Sequence, residues 1–205
     1  MKRHRHLLVG ATTALFACVA LGTSPAMATA CTNLRSLQLQ HTVINSADDN
    51  TTGTFVPPGG APITGLPAFC RVTATLIPSS DSSIKIEVWL PETTWNGRFL
   101  GTGGGGFQGV ITYNELAIGI QGGFAATNSD LGTGSSGCNP LFCGSFGNQG
   151  NPLAAEFGDP TLPSTGLFGH PERIKDFGYR AIHLMTERGK EIASAFWPPV
   201  EQPAK

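Results

Sequence analysis

The feature that most constrains the fold is a run of glycines that lies between two apolar stretches. Residues 97–100 have the composition of a short strand, and six of the next nine residues, 101–109, are glycine. We refer to residues 101–109 as the glycine segment. A helix-like stretch over residues 111–122 and a second apolar strand over residues 124–128 follow it. A strand, a loop, a helix and a strand in this order are typical of an α/β sheet, which is the fold class that we predict.

Two further patterns extend this prediction. Apolar and charged residues alternate over residues 83–88 and an apolar pair follows, which predicts a half-buried strand over residues 83–91. Residues 171–196 have the strongest helical pattern in the sequence, because Pro171 and Glu172 suit a first turn and the apolar residues fall on one face. The residues of that predicted apolar face are Ile174, Phe177, Ala181, Met185, Ile192 and Phe196.

The first thirty residues have the pattern of a secretion signal. A basic start, an apolar run over residues 7–22 and small residues at positions 28–30 fit a signal peptide that is cleaved. An uncleaved anchor is less favoured because the run is shorter than the roughly 20 residues that span a bilayer. Lipidation at Cys31 is also less favoured, since the site lacks the usual leucine. We predict a signal peptide, residues 1–30, and a secreted or periplasmic domain, residues 31–205, without a stable membrane span.

The charge of the mature domain argues against one class of partner. Removing the signal takes three basic residues, so the formal net charge of −1 falls by a further three. Binding to nucleic acid calls for a basic stripe, and none is present. We therefore predict no nucleic-acid partner.

Four of the five cysteines lie in the mature domain. An even number in an exported chain predicts disulfides, and four cysteines allow three pairings. We favour Cys31 with Cys70 and Cys138 with Cys143, because the second pair is close enough to close one loop in the irregular stretch 138–166. A metal site is not expected, since no second close cysteine pair and no nearby histidine completes a set of four ligands.

The glycine segment can be interpreted in three ways. Gly101, Gly103 and Gly106 have the spacing of a dinucleotide fingerprint, but they lie well into the chain, and such cofactors are scarce where an exported protein works. A loop without side chains could instead let backbone N–H groups approach a developing oxyanion, because glycine reaches the required conformations. The third interpretation is a flexible turn, and the glycine run alone favours it.

Four stretches besides the glycine segment have distinctive sequences and occur in a fixed order. They are Leu-Pro-Ala-Phe-Cys-Arg-Val at 66–72, Ile-Glu-Val-Trp-Leu-Pro at 86–91, Trp-Asn-Gly-Arg-Phe-Leu-Gly at 95–101 and Asp-Phe-Gly-Tyr-Arg-Ala-Ile-His at 176–183. Together with the glycine segment they extend over nearly all of the mature domain. In this order and wording they resemble the N-terminal part of the tannase and feruloyl esterase family.

The resemblance implies an α/β-hydrolase fold that cleaves phenolic acid esters, as small molecules or on plant polymers, through a serine, a histidine and an aspartate. It implies that a backbone N–H of Gly105 or Gly106 forms one half of the oxyanion hole. It also implies a disulfide between an early cysteine and Cys70, which supports the pairing of Cys31 with Cys70. The family carries calcium in a lid domain that would lie downstream, so the resemblance implies no cofactor within this chain.

The chain departs from the family where the chemistry is expected. The family's nucleophile lies in a Cys-Ser-x-Gly-Gly turn soon after the helix at residues 171–196, and no such turn occurs in these 205 residues. The aspartate and a His-Cys pair would lie further downstream. We therefore expect residues 31–205 to be the N-terminal portion of an α/β-hydrolase domain, truncated before the nucleophile strand, without a catalytic residue and inactive alone. The alternative is a secreted, non-catalytic binding module on a hydrolase-derived scaffold.

Several residues imitate catalytic or binding groups. Ser145 lies in Cys-Gly-Ser-Phe-Gly, which lacks the glycine two places before the serine of a nucleophile elbow, so we expect a loop residue. His183 matches a family histidine, but its place in a helix favours a structural role over that of a base. Where relatives tend to have Thr-Asp-x-Gly-His, at residues 128–132, Gly132 replaces the histidine. Aromatic residues on strands are more usually core than a platform for a phenol, which applies to Trp89, Trp95, Phe99 and Phe107.

Overall fold

The computed structural model describes residues 29–104, 109–132 and 171–198. These residues form seven strands, a short 3-10 helix at Cys31–Ser36 and three α-helical segments. The strands are β1 (Thr42–Asn50), β2 (Thr54–Phe55), β3 (Ile63–Thr64), β4 (Phe69–Leu76), β5 (Ile84–Pro91), β6 (Phe99–Gly101) and β7 (Ala125–Ser129). The helices are α1 (Tyr113–Gln121), α2 (Pro171–Lys175) and α3 (Ala181–Phe196), and a π-helical turn (Asp176–Arg180) joins α2 to α3.

Five of the strands form one mixed sheet in the order β1-β4-β5-β7-β6. The pairs β1–β4, β4–β5 and β5–β7 are antiparallel, whereas β6 and β7 run parallel. Parallel neighbours need a crossover connection, and α1 supplies it between β6 and β7. The predicted α/β fold class is confirmed, and so are the three predicted strands, here β5, β6 and β7, and the helix-like stretch that forms α1.

One face of this sheet, which we call the α3 face, carries the larger apolar core. Successive side chains of a strand point to opposite faces, so alternate residues of β4 and β5 meet α3. Each fully buried valine, leucine or isoleucine among them contributes about 1.5–3 kcal/mol relative to exposure. The buried side chains of this core include Val72, Ala74, Leu76, Ile84, Ile86, Val88, Leu90, Ala125, Met185, Ile192 and Phe196.

The opposite face, which we call the α1 face, is covered by α1 and by aromatic side chains. Trp89 is fully buried there, with its ring centroid 4.5 Å from that of Phe69 and 4.8 Å from that of Phe55. Glu87 belongs to the same face of β5 and is 3% exposed. The prediction of a half-buried strand is therefore wrong from Ile86 onward, because β5 is buried on both faces and its acidic residue has charged and polar partners.

Both helices approach strands β6 and β7 through a glycine. A Cβ at Gly119 of α1 would lie 2.7 Å from the Cβ of Ala126, and a Cβ at Gly189 of α3 would lie 2.7 Å from Cζ of Phe99. These distances are too short for real contacts, so each glycine permits a close approach that a larger residue would prevent. The β6 edge of the sheet is thus packed closely between α1 and α3.

The predicted long helix begins at Pro171 and ends at Phe196, with the π-helical turn inside it. Most of its predicted apolar face is confirmed, because Met185 and Phe196 are at most 2% exposed. Ile174, however, is 41% exposed. A π-helical turn contains one extra residue, which rotates the residues before it by about 100° relative to α3. Ile174 consequently leaves the face on which Met185 lies.

The disulfide between Cys31 and Cys70 confirms the first predicted pairing, with the Cα atoms 5.5 Å apart and both residues buried. Asp49 lies near both sulfurs, but sulfurs joined to each other do not act as thiolate ligands. The second predicted pair, Cys138 with Cys143, lies outside the described residues. Among residues 29–104, 109–132 and 171–198, none of the helices combines the length and the hydropathy needed to cross a bilayer.

Candidate functional site

The glycine segment leaves β6 at one edge of the five-stranded sheet. Its first residue, Gly101, lies against α3, since a Cβ there would be 3.5 Å from Cε of Met185. Gly105 and Gly106, the residues expected to supply an oxyanion-hole N–H, and Phe107 lie outside the described residues. The structure does describe both ends of the segment, and the geometry of those ends is the basis of the site.

Thr102 fixes the start of the glycine segment on β7. Its backbone N–H donates to the carbonyl oxygen of Thr127 at 2.8 Å, and its Oγ1 hydroxyl donates to the same oxygen at 3.0 Å. Gly101 is already paired with Thr127 in the parallel β6–β7 ladder. The segment therefore starts from a position that the sheet determines.

Asn128, the next residue of β7, binds both ends of the segment. It is fully buried, and its Nδ2 amide lies 2.8 Å from Oγ1 of Thr102 and 3.3 Å from the carbonyl oxygen of Gly103. The same Nδ2 lies 2.8 Å from Oγ1 of Thr112, while Oδ1 accepts the backbone N–H of Thr112 at 2.9 Å. We call these contacts the Asn128 clamp. One buried amide thus holds the start of the glycine segment and the chain just after its end.

Glu87 forms a second buried polar group beneath the start of α1. Arg71 donates to it through Nε at 2.8 Å and through a terminal nitrogen at 2.5 Å, which is a bidentate ion pair. The indole N–H of Trp89 and the hydroxyl of Tyr113 donate to the same carboxylate at 2.9 and 3.0 Å. Four donors therefore stabilise a carboxylate that would otherwise be costly to bury.

Tyr113 connects this group to the glycine segment, because it follows Thr112 and begins α1. Burial and the neighbouring Glu87 carboxylate both disfavour the phenolate and raise the pKa of Tyr113 above its usual value. The phenol therefore remains a hydrogen-bond donor at any physiological pH. The exit of the segment is consequently held by two buried side chains, Asn128 at Thr112 and Glu87 at Tyr113.

A tight turn follows β7 at Asp130. The Asp130 carboxylate accepts backbone N–H groups of Lys85 and Gly132, each at 2.9 Å. Burial raises the pKa of Asp130 to about 6, because desolvation outweighs the hydrogen bonds. Gly132 has a φ of +73°, and a Cβ on it would lie 2.9 Å from the Cβ of Asp176. A side chain at position 132 would therefore force its neighbours to shift.

The remaining candidate residues that the structure describes lie on α3, in the core or near the end of α3. The side chain of His183 is 66% exposed on α3, and its Nε2 lies 3.2 Å from a carboxylate oxygen of Glu187. Trp89 belongs to the core of the α1 face, whereas Phe99 packs against the core of the α3 face. Trp95 is 38% exposed and stacks on Trp197 at 4.0 Å. Ser145 lies outside the described residues.

The sequence patterns did not predict the Asn128 clamp or the group around Glu87. Asn128 ends the predicted strand over residues 124–128 and begins the segment that departs from the family, but neither pattern gives it a role. One signal was available, because a glutamate flanked by Ile86, Val88, Trp89 and Leu90 is unusual unless it has buried partners. The identity of those partners could not be read from the pattern.

Comparisons with known families and structures give a consistent result. The sequence model of the family described as tannase and feruloyl esterase matches residues 70–202. An uncharacterised esterase of Xanthomonas campestris pv. campestris is 35% identical over 177 residues, which cover 86% of this chain and 27% of the relative. A probable feruloyl esterase B-2 of Aspergillus flavus is 38% identical over 128 residues, or 62% of this chain and 19% of the relative.

Solved structures resemble the fold as well. Feruloyl esterase B from Aspergillus oryzae superposes with a TM-score of 0.63 at 27% identity, over 84% of this chain and 30% of that protein. Tannin acyl hydrolase from Aspergillus niger superposes with a TM-score of 0.52 at 19% identity, over 82% of this chain and 28% of that protein, which shows likeness of fold. The chain thus spans less than a third of the length of these relatives.

Proposed function

Because the chain belongs to the tannase and feruloyl esterase family and has part of its α/β-hydrolase fold, we propose that the protein is a carboxylic ester hydrolase. The proposed substrates are esters of phenolic acids, of the feruloyl or galloyl type, since similar proteins are named feruloyl esterase and tannin acyl hydrolase. The observation that carries the proposal is the glycine segment, which leaves an edge strand and is held at both ends by Asn128. Hydrogen bonds that hold both ends are expected of a segment whose backbone N–H groups act in catalysis. A flexible turn would not need them.

We propose that these N–H groups act by stabilising an oxyanion. A serine Oγ attacks the ester carbonyl carbon while a histidine takes the proton of its hydroxyl, and the carbonyl oxygen becomes an alkoxide. A backbone N–H of Gly105 or Gly106 donates a hydrogen bond to that alkoxide, an interaction whose loss typically costs 10²–10³-fold in kcat, on the order of 3 kcal/mol. Glycine suits these positions because no Cβ stands between the N–H and the substrate.

The remaining steps follow from acyl-transfer chemistry. Collapse of the tetrahedral intermediate breaks the ester bond, and a histidine gives its proton to the departing alcohol. Water then attacks the acyl-serine, which releases the phenolic acid and restores the serine. We assign the serine to a Cys-Ser-x-Gly-Gly turn of the family type, which does not occur in these 205 residues.

We also propose that the protein works outside the cytoplasm. The disulfide between Cys31 and Cys70 is of a kind that persists in oxidising compartments. The first thirty residues have the pattern of a signal peptide. An enzyme that acts on phenolic esters of plant polymers would meet its substrate there.

The test uses protein expressed from the complete reading frame. It is incubated with methyl ferulate, methyl gallate and ethyl butyrate, and the free acids are quantified by chromatography. We expect release of ferulate or gallate at a rate well above that of butyrate. A fluorophosphonate probe should label one serine, and peptide mapping should place it in a Cys-Ser-x-Gly-Gly turn.

The 205-residue chain by itself is the matched comparison. We expect it to release no acid and to take up no probe. Turnover by this chain would contradict our assignment of the nucleophile. If the complete protein binds methyl ferulate in calorimetry but hydrolyses none of the three esters, the alternative of a non-catalytic binding module replaces the proposed enzyme.

A further inference from the structure

We propose that Asn128 is a positioning residue for the reaction, which sets the geometry of the glycine segment by holding its two ends together. This inference rests on the proposed function, since it assigns to Asn128 an effect on catalysis. Asn128 touches neither substrate nor nucleophile in this role. It acts through the chain segments bound to its amide.

The distances show how closely the ends are held. The hydroxyl oxygens of Thr102 and Thr112 each lie 2.8 Å from Nδ2 of Asn128, so they are separated by at most about 5.6 Å. Nine residues of the chain lie between them. Oδ1 of Asn128 fixes the backbone of Thr112 as well as its side chain. The clamp thus determines both the separation of the ends and the direction in which the chain leaves.

The chemistry of the amide explains why an asparagine is needed here. It offers two N–H donors and one carbonyl acceptor on one planar group, and all of them are used in the clamp. The side chain of Asn128 is fully buried, whereas Thr102 and Thr112 are half-buried, so an apolar residue at position 128 would leave both ends without the partner that the amide provides. An apolar side chain of similar size would fill the space and hold neither end.

A positioning role follows because oxyanion donors must be placed accurately. Groups that act on a transition state need to be held within about 0.5 Å of the productive geometry. A displacement of about 1 Å can cost 10²-fold in rate. Strand β7 supplies the rigid support, because all its residues are buried between β5 and β6.

The experiment compares three variants of the complete protein with methyl ferulate as substrate. Asn128→Leu removes the clamp, and we expect kcat to fall by about 10- to 100-fold while KM changes less than about two-fold. Thr112→Val removes one hydroxyl of the clamp and should lower kcat by a smaller factor. Thr112→Ser keeps that hydroxyl and should retain the wild-type kcat.

Ser129→Ala is the control for a merely structural effect. Ser129 is the next residue of β7, is 1% exposed, and accepts the backbone N–H of Leu131 in a different loop. We expect this variant to lower the melting temperature and to leave kcat unchanged. The proposal is overturned if kcat of Asn128→Leu equals that of the wild type, or if kcat falls in all variants in proportion to the melting temperature.

A second readout separates this inference from the proposed function. Hydrogen exchange of the peptide covering residues 101–112 is measured by mass spectrometry in wild type, Asn128→Leu, Thr112→Val and Ser129→Ala. The clamp predicts faster exchange in that peptide for the first two variants and no change for the third. If the wild-type protein hydrolyses no ester, the proposed function fails, and unchanged exchange in Asn128→Leu and Thr112→Val would overturn the clamp independently.

Discussion

The two faces of the five-stranded sheet are held by different kinds of interaction. On the α3 face, apolar side chains of β4, β5 and α3 form one continuous core, and the disulfide of Cys31 with Cys70 lies within it. On the α1 face, the apolar cluster is smaller, and Glu87 and Asn128 are buried beside it with their hydrogen-bond partners.

This difference between the faces indicates that one face mainly stabilises the fold and the other mainly positions the backbone near the glycine segment. Apolar burial has no preferred direction, so the apolar core of the α3 face contributes free energy without itself fixing any one group accurately. Hydrogen bonds are directional, and those of the α1 face end on Thr102, Thr112 and Tyr113, next to the glycine segment. The face with the smaller core is therefore the face that sets the site.

Removing the disulfide tests how much this covalent link contributes to the stability of the α3 face. Replacing Cys31 and Cys70 by serine should lower the free energy of unfolding by about 4 kcal/mol, because the bridge spans a sequence separation of 39 residues. Urea denaturation of wild type and variant measures the change. The matched pair Cys138→Ser and Cys143→Ser would open a much shorter predicted loop and should cost about 2 kcal/mol. A larger loss from the second pair would contradict this order.

Truncating the buried carboxylate tests the α1 face. Glu87→Leu should lower the free energy of unfolding by about 3 kcal/mol, because it strands the guanidinium of Arg71 and the donors of Trp89 and Tyr113. The double variant Arg71→Met with Glu87→Leu should recover part of this loss. A double-mutant cycle in urea gives both values, and strictly additive losses would show that the ion pair contributes nothing.

A second buried carboxylate sharpens the comparison, because Asp130 accepts backbone N–H groups whereas Glu87 is paired with an arginine. The pKa of Asp130 is raised to about 6 in the folded protein, so its protonated form favours folding. That contribution is complete below the unfolded pKa of about 4 and is lost as the pH rises through 6. Asp130→Asn should equal the wild type near pH 4 and exceed its unfolding free energy by about 2 kcal/mol at pH 7. An identical pH profile for the two proteins would refute the assignment.

The glycine contacts give the smallest expected effects and compare the two faces directly. Gly119→Ala should cost about 2 kcal/mol, because its Cβ would meet Ala126 in the core of the α1 face. Gly189→Ala should cost about 1 kcal/mol, since the ring edge of Phe99 can tilt away and alanine favours the helix. Gly178→Ala, with no atom within 4 Å of the new Cβ, is the control and should be neutral or slightly stabilising. Thermal melts rank the three, and a loss in Gly178→Ala as large as in Gly119→Ala would contradict the packing argument.

Much of the α3 face could be predicted from the sequence, because local periodicity carries the information. The alternation in β5 and the helical spacing of Met185, Ile192 and Phe196 both indicated the apolar core. Four of the seven described strands were not predicted: the short β2 and β3, and two strands of the five-stranded sheet, β1 and β4. β1 contains many polar residues and a register shift between Ile44 and Ser46, which disrupts a period of two. β4, whose alternate residues are buried, was noted only for its resemblance to a family.

The candidate site was less predictable, because its contacts join residues that are distant in sequence. Glu87 meets Arg71 across 16 positions, and Asn128 meets Thr102 across 26. No local pattern relates such pairs. The resemblance to a family indicated the glycine segment as the place of the chemistry, whereas the means by which its ends are held became visible only in the folded chain.

The strand order also determines the sequence of events in folding. β4 and β5 pair directly with each other and can form a hairpin as soon as both are free, because their contacts are local. Among the described strands, β6 pairs only with β7, although β6 comes first in the chain. The partner of β6 thus arrives only after α1 in the chain, and we expect the β6–β7 pair to form later than the β4–β5 hairpin. The backbone that follows β6 would then reach its final course late in assembly.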